Sequence, residues 1–315
     1  MAFDDYFREN STLKLRDVTA RFKHHSAKSN GSDDIAIVNL AILIQVGAVG
    51  YLVSSMELSV VIPTINSPTE IDVLPCLEAC DFEDYEVIIR GDTPVTKARN
   101  EGYKRATAEK IVYLDDDSMP KNGYLSAAAE TLEEKAAVAG RTIHPRNDMF
   151  AGQLTAHYDF GDDPRNVKYF WGCNMGIRRE TLEAVGGWDE RMGWGHEEKE
   201  LADRVREQFN IYYNPEMVVL HPYTDSLIEY WKKHYRLEQE TPYYLKKRGK
   251  SRREILSRIL LDFIDPNRYL GRSPELMLAR SGRTIAGTAG RLTGLFDERM
   301  NSFHEEGSET IGHSY

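Results

Sequence analysis

The chain has 315 residues, of which 29% are charged and 41% are hydrophobic, and its net charge is −10. This balance is typical of a globular protein that can bury a sizeable core. The negative charge argues against a protein that coats nucleic acid, because such a protein needs a positive surface. Three cysteines are too few for a closed disulfide framework, so a reducing compartment is expected.

An uncharged segment lies near the start of the chain. Residues 35–56 contain no charged side chain, and the run exceeds the roughly 18 apolar residues that suggest a membrane span. It begins too far from Met1 to be an ordinary signal peptide. Three interpretations stay open: a spanning helix, a buried or membrane-surface helix, and a non-native extension. Residues 1–34 are predicted to form a separate N-terminal tail.

From residue 57 onwards, short apolar runs alternate with helical stretches. This pattern predicts an α/β domain at 57–222, with a mostly parallel sheet flanked by helices. The predicted strands are 57–63, 85–89, 110–114, 137–143, 168–177 and 217–221. The main predicted helices between them are 95–109, 124–136 and 197–209.

The remaining chain, residues 223–315, is predicted to be a basic amphipathic helical region. Between Trp231 and Arg258 there are ten Lys/Arg and three Asp/Glu, a local charge of 10 − 3 = +7. Ser273 and Pro274 are typical of a helix N-cap and first helical position. Basic residues beside apolar helices suggest a surface for anionic lipid headgroups or a lipid-linked phosphate. The alternative is a solvated pair of charged helices.

Three consecutive aspartates, Asp115, Asp116 and Asp117, follow the third predicted strand. Carboxylates at the end of a buried strand are unfavourable unless a positive charge neutralises them. Ligands of open α/β sheets bind at the carboxyl ends of strands. Asp115 and Asp117 can turn toward one point and hold a hard divalent cation. The alternative is an ordinary solvated turn.

Three stretches of the sequence resemble the inverting, GT-A-fold glycosyltransferases of family 2. They are SVVIPT at 59–64, KARNEGYKRATAEKIVYLDDD at 97–117 and GGWDERMGWGHEEKELADR at 186–204. The resemblance covers about residues 57–221 and implies a GT-A (Rossmann-like) sheet, here with a C-terminal helical extension. It implies metal-dependent sugar transfer from a nucleotide-sugar. Similar enzymes include membrane-associated glycosyltransferases of archaeal protein N-glycosylation.

The resemblance also implies roles for individual residues. Glu198 stands where the family usually has an aspartate as general base, so Glu197 is the alternative base. His221 would complete a Mn2+ or Mg2+ site with Asp117 and Asp115. The nucleotide-sugar contacts would be Pro63, Thr64, Asp92, Arg99, Asp115 and Asp116. The acceptor contacts would be Trp188, Asp189 and Glu190.

Without the resemblance, two of these assignments have simpler explanations. Acidic residues at 197–200 would be favoured at any helix N-terminus by the helix dipole. A histidine after an apolar strand, such as His221, is more often a core residue. The order of the three motifs favours the catalytic interpretation of both.

The predicted reaction moves a hexose or a hexuronic acid, with a UDP-sugar favoured as donor. The predicted acceptor is a dolichol- or polyprenol-phosphate-linked glycan, in N-glycan or surface-glycan assembly at the cytoplasmic face of the cell membrane. No nucleic-acid partner is expected. One alternative is a sugar-nucleotidyltransferase, although the Gly-rich loop of that class is missing after the first strand. The other is a catalytically silent module that binds a nucleotide-sugar.

Overall fold

The computed structural model describes residues 56–224 and 226–301. The predicted N-terminal tail and all but the last residue of the predicted hydrophobic segment lie outside these residues. The described part is built around one eight-stranded sheet with helices packed against it. The predicted fold class, an α/β sheet flanked by helices, is therefore confirmed.

The sheet has the strand order β2-β1-β3-β7-β5-β8-β4, and β6 pairs with β8. The strands are β1 (Leu58–Pro63), β2 (Tyr85–Arg90), β3 (Lys110–Tyr113), β4 (Met119–Pro120), β5 (Ala137–Ile143), β6 (Arg165–Val167), β7 (Met175–Arg178) and β8 (Ile211–Leu220). Strand β1 runs parallel to β2 and β3, and β5 runs parallel to β8. Strand β7 is antiparallel to both β3 and β5, so the sheet is mixed.

Helices occur both between the strands of the sheet and in the C-terminal part of the described chain. They are α1 (Val73–Glu78), α2 (Val95–Arg105), α3 (Tyr124–Glu134), α4 (Arg179–Ala184), α5 (Glu197–Gln208), α6 (Leu227–Gln239), α7 (Thr241–Lys247), α8 (Arg252–Ile264) and α9 (Pro274–Leu295). No helix in the described ranges is long and apolar enough to cross a membrane.

Strand β1 is the centre of the parallel half of the sheet. All six of its residues are buried, which matches the continuous apolar run expected of a strand covered on both faces. Helix α2 packs closely on it, because a Cβ at Gly102 would overlap the Val61 side chain. Because β1 runs parallel to both β2 and β3, the carboxyl ends of these three strands lie along one edge of the sheet.

Two predicted strands differ in length from those observed. The strand predicted at 168–177 is regular only in β7, because a turn precedes it, closed by a hydrogen bond from the Asn174 backbone to the Trp171 carbonyl at 2.9 Å. The strand predicted at 217–221 begins earlier, at Ile211. A bulge opposite Gly140 accommodates the polar Asn-Pro-Glu run that hid this extension.

The glycines of α9 form its packing face. A Cβ at Gly290 would overlap the carbonyl oxygen of Tyr235 on α6, and one at Gly294 would overlap that of Gln239. The apolar residues Leu278 and Ile285, which the sequence places on one side of α9, are instead 54% and 57% exposed. The predicted helix start is confirmed, since the Ser273 side chain accepts a hydrogen bond from the Leu276 backbone.

The close contact between α6 and α9 predicts opposite effects for glycine substitutions along one helix. Gly290→Ala should lower the free energy of unfolding by about 1–3 kcal/mol, because the added methyl group forces the helices apart. Gly287→Ala is the milder comparison on the same helix, since its Cβ would lie 3.3 Å from a side-chain carbon of Glu238, which has to give way by only a few tenths of an ångström. It should be neutral or stabilising by up to about 1 kcal/mol through helix propensity. Urea denaturation followed by circular dichroism measures both, and equal stabilisation by the two substitutions would contradict the packing.

Candidate active site

Part of the predicted nucleotide-sugar site assembles at the ends of β1 and β3. Asp116 accepts hydrogen bonds from the Thr64 hydroxyl and, at 2.8 Å, from the Asn66 amide. The Thr64 backbone donates to the Arg90 carbonyl at 2.8 Å. Pro63, the last residue of β1, is buried directly before this group. The structure therefore brings Pro63, Thr64 and Asp116 together at one sheet edge.

Asp92 lies at the end of β2, on the same edge. Its carboxylate forms an ion pair with Arg90 at 2.6 Å, and both side chains are largely buried. A Cβ at Gly91 would lie 3.3 Å from the Thr64 carbonyl oxygen, so the β2 end approaches the Thr64 loop closely. Asp92 is thus near the other predicted nucleotide contacts, held by its neighbour Arg90.

His221 lies close to both Asp115 and Asp117. His221 Nε2 lies 3.1 Å from an oxygen of Asp117 and 3.9 Å from an oxygen of Asp115. The His221 backbone donates to the Ile143 carbonyl at 3.0 Å, which fixes the histidine at the end of β8 beside β5. Two carboxylates and an imidazole are a donor set that suits Mn2+ or Mg2+.

The electrostatics of this group also fit a divalent cation. Burial raises the pKa of Asp115, and the nearby Asp117 adds to that shift, so the ionised pair is costly without a cation. Burial disfavours a charged His221, but the hydrogen bond and charge of Asp117 raise its pKa overall. The imidazole thus acts as a partial counterion to Asp117. These residues fit the metal that the resemblance implies.

Cys173 is a member of this cluster that the sequence analysis missed. Its thiol lies with ligand atoms of Asp115 and His221 in a group that spans no more than 4.8 Å. Burial raises the pKa of the Cys173 thiol well above its usual value, and the charges of Asp115 and Asp117 raise it further. No sequence spacing signals this position, because Cys173 reaches the site from the turn before β7.

Arg99 links the aspartates to helix α5. Its buried guanidinium donates to Glu197 at 2.8 Å and to Asp115 at 3.4 Å, and it lies 4.6 Å from the centre of the Trp188 ring. A Cβ at Gly172 would overlap the guanidinium, so the chain also covers it from that side. Arg99 is 2% exposed. Arg99 thus lies between two carboxylates, and its contact with a diphosphate stays a prediction.

The two candidate bases are in different environments. Glu197 is buried, and its second oxygen accepts a hydrogen bond from the Gly195 backbone at 2.6 Å, so both of its oxygens have partners. Glu198 lines an open cleft. Burial, and next the charge of Glu197, raise the pKa of Glu198 to about 8. Of the two, Glu198 is the carboxylate that an acceptor hydroxyl can approach.

The three predicted acceptor residues do not line that cleft. Trp188 is 3% exposed. Its ring packs edge-on against Tyr113 and lies against the Arg99 guanidinium. Asp189 forms an ion pair with Lys247 of α7 at 2.5 Å. Glu190 accepts a hydrogen bond from Asn100 at 2.8 Å. These side chains contact other parts of the protein, and their assignment to the acceptor stays a prediction.

The cleft beside Glu198 has a volume of about 390 Å³. It lies between the sheet region and the C-terminal helices, and its lining residues come from several separate segments. Most of them could not be predicted from the sequence, because only the docking of α6 and α9 brings the segments together. The residues that sequence reasoning missed include Tyr158, Lys199, His234, Arg268 and Arg283.

Comparisons with known proteins agree with part of the predicted resemblance. Residues 89–186 match the sequence profile of glycosyl transferase family 2, over a stretch that includes α2, β3 and the three aspartates. The match ends before α5. No curated protein is a sequence match to the chain.

Three solved structures with low identity resemble the chain. A mannosyltransferase, PcManGT from Pyrobaculum calidifontis with GDP-Man and Mn2+, is 16% identical over 83% of this chain and 77% of its own, with a TM-score of 0.44. GalNAc-T7 with UDP, GalNAc and Mn2+ is 12% identical over 55% of this chain and 44% of its own, with a TM-score of 0.43. S. aureus TarS is 15% identical over 59% of this chain and 39% of its own, with a TM-score of 0.41. The chain thus spans less than half of GalNAc-T7 and of TarS.

The geometry of the aspartates predicts which of them binds a metal. Asp117→Asn should weaken Mn2+ binding at least about 10-fold, because it removes a ligand oxygen beside His221. Asp116→Asn is the matched control. It removes the same charge at the neighbouring residue, whose carboxylate is held by Thr64 and Asn66 and not by His221. Isothermal titration with Mn2+ compares the two. Equal loss in both variants would show that only net charge matters, and would contradict the assigned ligands.

Proposed function

We propose that the protein is an inverting, metal-dependent glycosyltransferase that moves a sugar from a nucleotide-sugar to an acceptor hydroxyl. The observation that carries this proposal is the bridge formed by Arg99. It joins Asp115, at the candidate metal cluster, to Glu197, directly before the accessible Glu198. A cation-binding end and a free carboxylate thus share one site. The family 2 match over residues 89–186 supports the donor half.

The reaction follows from the roles of these side chains. The Glu198 carboxylate accepts the proton of the acceptor hydroxyl as its oxygen attacks the anomeric carbon. The new glycosidic bond forms on one face while the bond to the diphosphate breaks on the other, so one displacement inverts the configuration. Asp115, Asp117 and His221 would hold the divalent cation. When bound, that cation supplies positive charge for the departing diphosphate.

The donor-binding end of the site is proposed to lie along the β1–β2–β3 edge. Thr64, Asn66 and Asp116 form a connected polar group there, and Asp92 lies nearby. Hydroxyl, amide and carboxylate groups at strand ends are suited to bind a base or ribose. A UDP-sugar that carries a hexose or a hexuronic acid stays the predicted donor.

We further propose that the acceptor is lipid-linked and that the enzyme acts at an anionic membrane surface. Helix α8 carries an exposed apolar face formed by Leu260, Leu261 and Ile264, which are 55%, 64% and 69% exposed. Arg253 and Arg258 lie exposed on the same helix and form no ion pair with any described residue. Apolar side chains next to unpaired cations fit an anionic lipid headgroup region.

The exposed surface of α8 is not the one that the number of basic residues in the sequence suggests. Lys247 lies in the most basic run, but it pairs with Asp189 and Glu200 at 2.5 Å. Arg248 lies beside Asp203 at 3.5 Å. These cations join α7 to α5 and the loop before it, so α8 is the better candidate for membrane contact. The cytoplasmic face and the N-glycan or surface-glycan pathway stay predictions.

The role of Glu198 predicts a large loss of activity on a small change. Glu198→Gln should lower kcat for sugar transfer roughly 100- to 10,000-fold, because the amide cannot take the acceptor proton. Binding of the nucleotide-sugar should change little. Glu207→Gln, an exposed position on the same helix, is the matched control. Transfer assays with a panel of nucleotide-sugars measure both, and full activity in Glu198→Gln would exclude it as the base.

The raised pKa of Glu198 sets the expected pH profile of that same assay. A base works only when deprotonated, so kcat/KM should rise with pH and level off above about 8. An ordinary glutamate would already be fully ionised near neutral pH.

Release of diphosphate from a nucleoside triphosphate would instead indicate a sugar-nucleotidyltransferase.

The proposed membrane face predicts separable apolar and charge effects. Leu261→Gln with Ile264→Gln should weaken binding to vesicles of mixed phosphatidylglycerol and phosphatidylcholine at least about 10-fold, through lost apolar burial. Arg253→Gln with Arg258→Gln should reduce the preference over pure phosphatidylcholine vesicles, at about 1 kcal/mol per charge. Ile228→Gln, exposed on α6, is the control. Vesicle co-sedimentation that is unchanged by both pairs would reject α8 as the contact.

A further inference from the structure

The cleft beside Glu198 contains positive charge that the protein does not neutralise. Four cations reach it: Lys199, Arg268, Arg283 and Arg291. Arg291 is fully paired, with Glu238 and Asp262 at 2.5 Å, and Arg268 pairs with Asp262 at 2.6 Å. Lys199 and Arg283 form no ion pair within residues 56–224 and 226–301.

Uncharged aromatic side chains adjoin Arg283. It lies near Tyr230 on α6, whose buried hydroxyl has no hydrogen-bond partner among the described residues, and near His157 and His234. Burial, and next a nearby cation, lower the pKa of His157 to about 4 and that of His234 to about 3. Both imidazoles are therefore neutral near pH 7 and add no charge of their own. The rings of Tyr158 and Trp171 complete an aromatic wall, packed 4.6 Å apart.

Lys199 stands on the first turn of α5, next to Glu198 along the chain. Its ammonium lies 5.8 Å from the centre of the Trp171 ring. Because Glu198 is the group that gains a proton in the proposed reaction, it is not a permanent counterion for Lys199. A partly desolvated cation without an ion-pair partner is unfavourable, and an anionic ligand group removes that cost.

We propose that Lys199 and Arg283 bind an anionic group of the acceptor, and so select acceptors in which a phosphate or carboxylate lies close to the reacting hydroxyl. This inference rests on the proposed function. The distance limit follows from size, since a cleft of about 390 Å³ is at the small end of ligand sites and also contains Glu198. A charge several sugars away from the reacting hydroxyl would lie outside the cleft.

The experiment compares three soluble acceptors that share one sugar and a short alkyl chain. One has the sugar linked through phosphate, one is the neutral alkyl glycoside, and one is the alkyl glycoside of the matching uronic acid, which carries a carboxylate. The wild-type protein should use an anionic acceptor at least about 10-fold better in kcat/KM than the neutral one. Preference for the phosphate form identifies a lipid-type phosphate, and preference for the uronic acid identifies a sugar carboxylate.

Two variants test the assigned residues. Arg283→Gln and Lys199→Gln should each lower the ratio of kcat/KM between anionic and neutral acceptors about 10-fold, toward one, because each removes one charged hydrogen bond. Arg206→Gln, exposed on α5, removes the same charge outside the cleft and should leave the ratio unchanged. Arg283→Lys should restore part of the ratio, because it keeps the charge. Titration of the glycosyl phosphate without donor gives the same order of affinities, independent of turnover.

The outcomes separate this inference from the proposed function. A wild-type ratio near one, or an unchanged ratio in both variants, overturns the anion assignment while sugar transfer stands. Absence of transfer to all three acceptors from every nucleotide-sugar, with no binding of the glycosyl phosphate, overturns both.

Discussion

The arrangement of the site depends on one buried guanidinium. Arg99 is enclosed by the Trp188 ring and by the backbone at Gly172, and it contacts carboxylates from two parts of the fold. Asp115 follows β3 and Glu197 begins α5, so without Arg99 two buried negative charges would face each other. Removal of one partner from a buried ion group is costly, typically about 3–5 kcal/mol, because the others stay desolvated. The bridge therefore fixes the distance between the two halves of the site.

The same bridge separates the roles of two adjacent glutamates. Glu197 has both oxygens engaged, by Arg99 and by the Gly195 backbone. Its negative charge raises the pKa of the neighbouring Glu198, after the larger effect of burial. Two identical carboxyl groups thus acquire different roles from their surroundings, one as the hydrogen-bonded partner of Arg99 and one as a group that can exchange a proton in the cleft.

How far the sequence predicts this site depends on how local each feature is. The strand end with Asp115 and Asp117 was predictable, because an acidic run after an apolar strand is a local pattern. The choice between Glu197 and Glu198 was not, since it depends on Arg99, which is 98 positions away from Glu197. The fold class followed from the alternation of apolar runs and helices. The antiparallel direction of β7 could not be predicted from that alternation, because its pairing partners are set by the fold as a whole.

The C-terminal helices show why charge counts alone mislead. The local +7 in the sequence suggests one broad basic surface, yet Lys247 is paired with Asp189 and Glu200, and Arg248 lies beside Asp203. The glycine face of α9 brings the helix against α6 and thereby turns Arg283 into the cleft and Ile285 to the outside. Among the described residues, unpaired cations thus occupy both an inner position near Glu198, with Lys199 and Arg283, and an outer position on α8, with Arg253 and Arg258. An acceptor with its charge next to the reacting sugar and an apolar chain beyond it would match both positions, which a soluble neutral glycan would not.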